Sequence, residues 1–336
     1  MLRVGILGMG SIARNAHVNA YERIEKENGS IVIEACCDIR PEAMDEWKAK
    51  GIRTYTNADE MLEQEKGKLD YIDICLPTFL HAEYSIKAME AGFAVLCEKP
   101  MALNVEQAEA MIEASKRTGK LLMSAYCNRF YEAACYVKNM IDSKEFGEVR
   151  QAEFKRECGS EDSMGWNDWF HDGKLSGGVI LDLHIHDVDM IRWMFGMPKA
   201  VSAAAGSYRT RDGFDSVSTN YFYDNNMYVY ASSDWLLKNN KFNSRVIRVN
   251  FENGYVFIDR TGGRVAFVKV AKDGTVTDMS DNLAFDAYYN EVIYFADCLL
   301  NNQPVSRCLP EETMDSVKIV MAEIESANKN GERIAL

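Results

Sequence analysis

The sequence has six prolines in 336 residues, too few for long proline-rich linkers or disordered tails. No apolar run approaches the roughly 20 residues that span a bilayer. The opening run Met1-Leu2-Arg3-Val4-Gly5-Ile6-Leu7 is too short for a signal h-region and leads straight into glycines, so a membrane partner is not expected. Basic residues are in deficit, 38 against 51 acidic, which leaves a net charge of −13. Nucleic acid and anionic lipid both need a positive field, so neither is an expected partner. Nine cysteines are scattered without a Cys-X-X-Cys pair, which excludes a disulfide framework or a zinc-thiolate site and points to a reducing, cytoplasmic compartment. What remains is an ordinary globular composition, 47% hydrophobic and 26% charged, suited to small-molecule chemistry. At roughly 150 residues per domain, the length predicts two domains.

The order of signals predicts an α/β fold. Apolar strand-like runs at 3–7, 31–37, 70–76, 93–97 and 121–125 alternate with helical periodicity, the pattern of a parallel sheet built from βαβ units. Such a sheet binds ligands at the carboxyl ends of its strands. After residue 125 the pattern changes: a helix over 131–142, a strand near 148–157 and a strong helix over about 178–195. A β-rich stretch from 198 to 270 is punctuated by Asp224-Asn225-Asn226, Asn253-Gly254 and Asp273-Gly274. Those turns supply positive φ, so a mainly antiparallel sheet is expected there. Helices over 284–301 and 310–330 close the chain. The predicted domains are 1–125, a dinucleotide-binding domain, and 126–336, an α/β substrate-binding domain.

Gly8-Met9-Gly10-Ser11-Ile12-Ala13 follows the first strand and opens a helix. Gly8 permits the tight turn, Gly10 lets a pyrophosphate approach the backbone, and Ala13 allows helix and strand to pack closely. Gly8, Gly10, Ser11 and Ile12 are therefore the expected phosphate contacts. Asp38 ends the second strand, where a carboxylate accepts ribose hydroxyls and repels a 2′-phosphate. NAD is the expected cofactor, with Arg40, two residues on, opening the choice to NADP.

Two further clusters carry chemistry. Glu98-Lys99-Pro100 ends the strand at 93–97, where Lys99 points into the cofactor cleft and favours deprotonation of a substrate hydroxyl; a surface ion pair ahead of a helix-starting proline is the plain alternative. Within Asp182-Leu183-His184-Ile185-His186-Asp187-Val188-Asp189, helical spacing puts Asp182, His186, Asp189 and Trp193 on one polar stripe. Ile180, His184, Val188, Ile191 and Phe195 form a mainly apolar face, so His184 is expected to be a satisfied packing histidine, and His186 a functional one.

These motifs together resemble the Gfo/Idh/MocA oxidoreductases. The residues that carry the resemblance are the glycine turn, Asp38, Asp73-Ile74-Cys75-Leu76-Pro77-Thr78 with His81, Glu98-Lys99-Pro100, Asn128-Arg129-Phe130, and the run from Gly177 to Asp189. The resemblance covers essentially the whole chain in order. It implies a Rossmann domain followed by an α/β domain with a large open sheet that mediates a homo-oligomer, dimer or tetramer. It implies Lys99, Asp182 and His186 as catalytic residues, Pro77, His81, Glu98 and Lys99 as residues on the nicotinamide side, and a Lys99–Pro100 bond that is often cis. His184 departs from the family, many of whose members carry a small residue there.

The function expected is hydride transfer between the nicotinamide and a secondary hydroxyl or ketone of a sugar, inositol or related polyol. His186 is the general base, Lys99 lowers the hydroxyl pKa, and Asp182 holds an adjacent hydroxyl or the imidazole. No metal is expected. Two rivals are a metal-dependent hydrolase built on His184, His186, Asp187 and Asp189, and a non-catalytic sensor that binds cofactor without turnover. Specificity is expected from 156–172, with Trp166, Asn167, Trp169, His171 and Asp172, and from Trp235; packing aromatics are an equal reading for these.

Overall fold

The computed structural model describes residues 1–159, 164–238, 243–282 and 286–336. The chain forms two compact units. The first comprises Met1–Phe130 and Asp286–Met314, the second Tyr131–Phe285 and Asp315–Leu336.

The first unit is built on six parallel strands: β1 (Leu2–Leu7), β2 (Ile31–Cys37), β3 (Arg53–Tyr55), β4 (Tyr71–Ile74), β5 (Ala94–Glu98) and β6 (Leu122–Ala125). Their order is β3-β2-β1-β4-β5-β6, so the winding reverses between β1 and β4 and opens a crevice at their carboxyl ends. Central strands are apolar on both faces because helices cover both; β4 and β5 are buried at every position. Helix ends follow local chemistry. Asn104 caps Val105–Thr118 by accepting the Gln107 N–H, and Gly119 closes that helix with φ of 68°. The three-residue β3 escapes the periodicity because it is shorter than the window needed to see alternation.

The unit boundary differs from the expected 125. Residues 126–130 stay with the first unit, and 286–314 return to it. Fully buried Arg129 anchors the returning segment, donating from Nη1 to the Arg307 carbonyl and to Glu312, both at 2.7 Å. Phe295, on the helix Ala287–Leu300, sets its ring edge-on to Tyr71 at 5.4 Å. Order along the chain carries no sign of such a return, which is made by side chains far apart in sequence.

The second unit holds nine strands in the order β14-β13-β12-β11-β7-β10-β9-β8-β15. They are β7 (Val149–Gly159), β8 (Ala200–Gly206), β9 (Ser216–Phe222), β10 (Tyr228–Leu237), β11 (Ser244–Phe251), β12 (Gly254–Asp259), β13 (Ala266–Ala271), β14 (Val276–Asp278) and β15 (Ile334–Ala335). Hairpins join β9 to β10, β11 to β12 and β13 to β14 at the three expected turns, with Asn226 and Gly274 at positive φ. Only β7 and β10, among the described strands of this sheet, pair in parallel. One face buries Ala152, Phe154, Val229, Ala231 and Val249. On the other, register sets Tyr228, Gln151, Asn250, Tyr255, Val270 and Val276 in one row across the strands. Tyr228, Tyr255 and Val276 in that row are exposed.

Candidate active site

The glycine turn lies at the reversal point of the first sheet. Gly8 has φ of +91°, and a Cβ there would stand 2.6 Å from the Cys75 carbonyl oxygen at the end of β4. Any larger residue would force the two strand ends apart. Gly10 is different: a Cβ there would meet no protein atom within 4 Å. The protein itself does not require glycine at 10. A group arriving from outside does, and this open cradle at a helix N-terminus fits a dinucleotide pyrophosphate. Ala13 is fully buried, as close helix–strand packing requires, whereas Ser11 is exposed and Ile12 half-exposed.

Asp38 ties this turn to β2. Its Oδ2 accepts the Met9 N–H at 3.0 Å, and its Oδ1 accepts the Arg40 N–H at 2.9 Å. The Arg40 guanidinium closes on both oxygens, each contact 3.0 Å. Burial opposes the charge, but Arg40 and these N–H groups outweigh it and hold Asp38 below the usual carboxylate range. The acceptor positions of Asp38 are thus filled by protein donors, and a ribose diol must share or displace Arg40.

Glu98 ends β5, and its Oε2 accepts the Lys99 N–H at 2.9 Å. Lys99 is half-buried, and the Lys99–Pro100 bond is cis. Pro77 is half-buried at the end of the β4 loop. His81 is buried between two loops, with Nδ1 2.8 Å from the Pro100 carbonyl and Nε2 2.7 Å from that of Leu76. Burial pushes its pKa down, so the neutral ring donates to one of them. His81 braces the Pro77 loop against the Lys99 turn, with both nitrogens already facing protein carbonyls.

His17 has no counterpart in the sequence reading. It sits seven residues after Gly10 on the helical turn Ala13–His17, fully buried, with Nδ1 2.8 Å from Asp73 Oδ2 and Nε2 2.9 Å from Glu98 Oε1. A lone histidine amid helical spacing carried no signal, because its partners lie on β4 and β5.

In the second unit the Asp/His run starts on a π-helical turn, Ile180–His184, and continues as the α-helix Ile185–Phe195. From Ile180 to Ile191 every residue is buried except Asp182 and His186. Of the expected polar stripe, Asp182, His186 and Trp193 are half-buried. Asp189 leaves it: it is buried and accepts from Ser316 Oγ at 2.9 Å. Asp187 is buried too, accepting from Arg156 Nε at 3.0 Å and Nη2 at 2.7 Å. His184 is fully buried, Nδ1 2.7 Å from Ser233 Oγ and Nε2 3.1 Å from the Tyr221 hydroxyl. Three of the four residues of the hydrolase rival, His184, Asp187 and Asp189, are thus engaged with different partners, and the four do not form a group spaced to hold a metal among the described residues. Among the described residues, the one group spaced to hold a metal is His17, Asp73 and Cys75.

The run is pinned at its start by Gly178, whose φ is +65° and where a Cβ would lie 2.9 Å from Phe214 backbone atoms. Asp215, also missed, gathers the Tyr208, Arg209 and Thr210 N–H groups. Of the expected specificity residues, Trp166 is exposed and Trp169 stacks on Phe170 at 3.9 Å. Asp172 caps the short helix Gly173–Ser176, and Trp235 is buried, edge-on to His171. Asn167 and Asp168 adopt positive φ, and Asp168 accepts from His171 Nδ1 at 2.7 Å. Residues 160–163 of that stretch lie outside the described residues.

Fold and glycine cradle together define a dinucleotide-binding α/β protein. Residues 2–126 match the oxidoreductase family with an NAD-binding Rossmann fold, and residues 135–257 match the Gfo/Idh/MocA C-terminal domain. The chain belongs to the Gfo/Idh/MocA family of oxidoreductases. It is similar to D-glucoside 3-dehydrogenase of Escherichia coli K12, 30% identical over 213 residues, which cover 62% of this chain and 58% of that enzyme. It is also similar to myo-inositol 2-dehydrogenase of Thermotoga maritima, 28% identical over 197 residues, 58% of this chain and 55% of the other. The chain thus spans somewhat over half the length of these curated relatives. Among solved structures, the aldose-aldose oxidoreductase of Caulobacter crescentus superposes with a TM-score of 0.86 at 21% identity, covering 100% of this chain and 99% of that one, and so shares the fold.

Proposed function

We propose that the protein is an NAD(P)-dependent dehydrogenase acting on a secondary hydroxyl, or the corresponding ketone, of a sugar, inositol or related polyol. The observation that carries this is the open cradle at Gly10 beside the carboxyl ends of β1 and β4, within a family of oxidoreductases. Gly8, Gly10 and the N–H groups of Ser11 and Ile12 would hold the pyrophosphate, and Asp38 with Arg40 the adenosine ribose. A nicotinamide cofactor, when bound, supplies the redox chemistry by accepting or returning a hydride. His186 takes the hydroxyl proton as the carbinol becomes a ketone, an imidazole being the commonest general base. Lys99 orients the same oxygen and lowers its pKa, and Asp182 holds a neighbouring hydroxyl. NAD is the preferred cofactor, with NADP admitted when Arg40 leaves Asp38 to meet a 2′-phosphate.

The exposed row of Tyr228, Tyr255 and Val276 supports a homo-oligomer formed through the second sheet, since such a face is a poor one to leave in water. Among the described residues no helix is long and apolar enough to cross a membrane, and a cytoplasmic location is the companion proposal. The test is a panel of aldoses, inositols and their keto forms with NAD and NADP, read by nicotinamide absorbance, with Lys99→Ala and His186→Ala alongside. Turnover by the wild type that both substitutions abolish supports the reading. A variant that stays folded and keeps wild-type turnover overturns the role of its residue.

A further inference from the structure

The buried cluster around His17 joins parts of the first unit that the sequence separates. The histidine ends the turn that follows the cofactor cradle, Asp73 lies on β4, and Glu98 leads directly into Lys99. Asp73 Oδ2 also accepts from the Tyr21 hydroxyl at 2.8 Å, and Cys75 Sγ stands 3.6 Å from Asp73 Oδ1. Two carboxylates out of water need a compensating charge, and His17 faces both. Burial works against an imidazolium, but the neighbouring Asp73 outweighs it, leaving His17 well above its ordinary value. A charged ring donates from both nitrogens. His81 one loop away, between carbonyls instead of carboxylates, shifts the opposite way.

We propose that His17 is a positioning residue for the Lys99 turn: it donates to Asp73 from one ring nitrogen and to Glu98 from the other, fixing the carboxylate that holds the Lys99 N–H. The functional consequence rests on Lys99 acting on substrate, as proposed above. His17, Asp73 and Cys75 also lie close enough to hold a metal. The 2.8 Å contact between His17 and Asp73 instead spends their polar atoms on each other.

The experiment compares His17→Gln with Tyr21→Phe, which removes a contact to the same Asp73 but none to Glu98. Hydrogen exchange at the Lys99 amide is the first readout and needs no turnover. His17→Gln is expected to speed that exchange about tenfold, the factor carried by one charge-assisted hydrogen bond, while Tyr21→Phe leaves it near the wild-type rate. With any sugar or inositol the wild type oxidises, kcat should fall about tenfold in His17→Gln with KM for NAD held. Unchanged Lys99 exchange in His17→Gln, or an equal rise in Tyr21→Phe, overturns the proposal. So does one divalent metal per chain in the purified protein. Should His17→Gln not fold, the wild type decides: two slowly exchanging His17 ring N–H signals support the assignment and one refutes it. If the wild type turns over nothing in the panel, the dehydrogenase reading fails on its own, and the amide exchange still decides the role of His17.

Discussion

Removing the Asp187 carboxylate should destabilise the second unit far more than an ordinary polar substitution. Arg156 and Asp187 pair through two hydrogen bonds with side chains only 4% and 3% exposed. Asp187→Ala takes from the buried guanidinium the carboxylate it meets through two hydrogen bonds, a loss of about 3–5 kcal/mol. For a folding unit of this size, each kcal/mol shifts the midpoint by about 2–4 °C, so a fall of roughly 6–20 °C is expected in thermal unfolding followed by circular dichroism. Replacing both partners, Arg156→Met with Asp187→Leu, should recover most of it, because an apolar pair of similar volume carries no desolvation penalty. The pair also fastens the helix Ile185–Phe195 to β7, so turnover in Asp187→Ala should fall with stability. An Asp187→Ala midpoint within about 2 °C of wild type, or a double variant no better than the single, would refute the reasoning. A chelator that reproduced the loss in the wild type would revive Asp187 as a metal ligand.

Three further outcomes are expected. Gly8→Ala should cost more than about 2 kcal/mol in urea unfolding, from positive φ and overlap with the Cys75 carbonyl, whereas Gly10→Ala should fold normally and weaken NADH binding in a fluorescence titration. Arg40→Ala should weaken NADP binding about tenfold relative to NAD, since Asp38 then faces a 2′-phosphate with no cation between them. For pH, the folded pKa of His17 lies above the unfolded value of about 6.5. Its contribution is complete below that pH and is lost as pH rises toward the folded value, among Asp73, Cys75, Tyr21, Tyr71, Glu98 and Tyr288. Urea midpoints taken upward from pH 6.5 should fall more steeply in the wild type than in His17→Gln, and parallel slopes would contradict this.

Chemistry confined to neighbours in sequence was legible. Alternating strand and helix periods, the Gly8 turn, the hairpin turns at Asn226 and Gly274, and the partial exposure of Asp182 and His186 on one helical run all follow from spacing within a few residues. So did the packing role of His184. Partners brought from afar were not legible. Asp189 looked like a stripe residue until Ser316 reached it from the last helix, and Asp187 looked like a candidate ligand until Arg156 closed on it from β7.

The order of the elements and their local periods determined the class of fold on their own, because local period acts without knowing the rest of the chain. Tertiary structure decided which polar residues are spent holding the molecule together. Arg40 fills Asp38, Arg129 draws residues 286–314 back to the first unit, and His17 stands between Asp73 and Glu98. A buried charge must find its partner wherever folding delivers one, and no spacing rule along the chain says where that is.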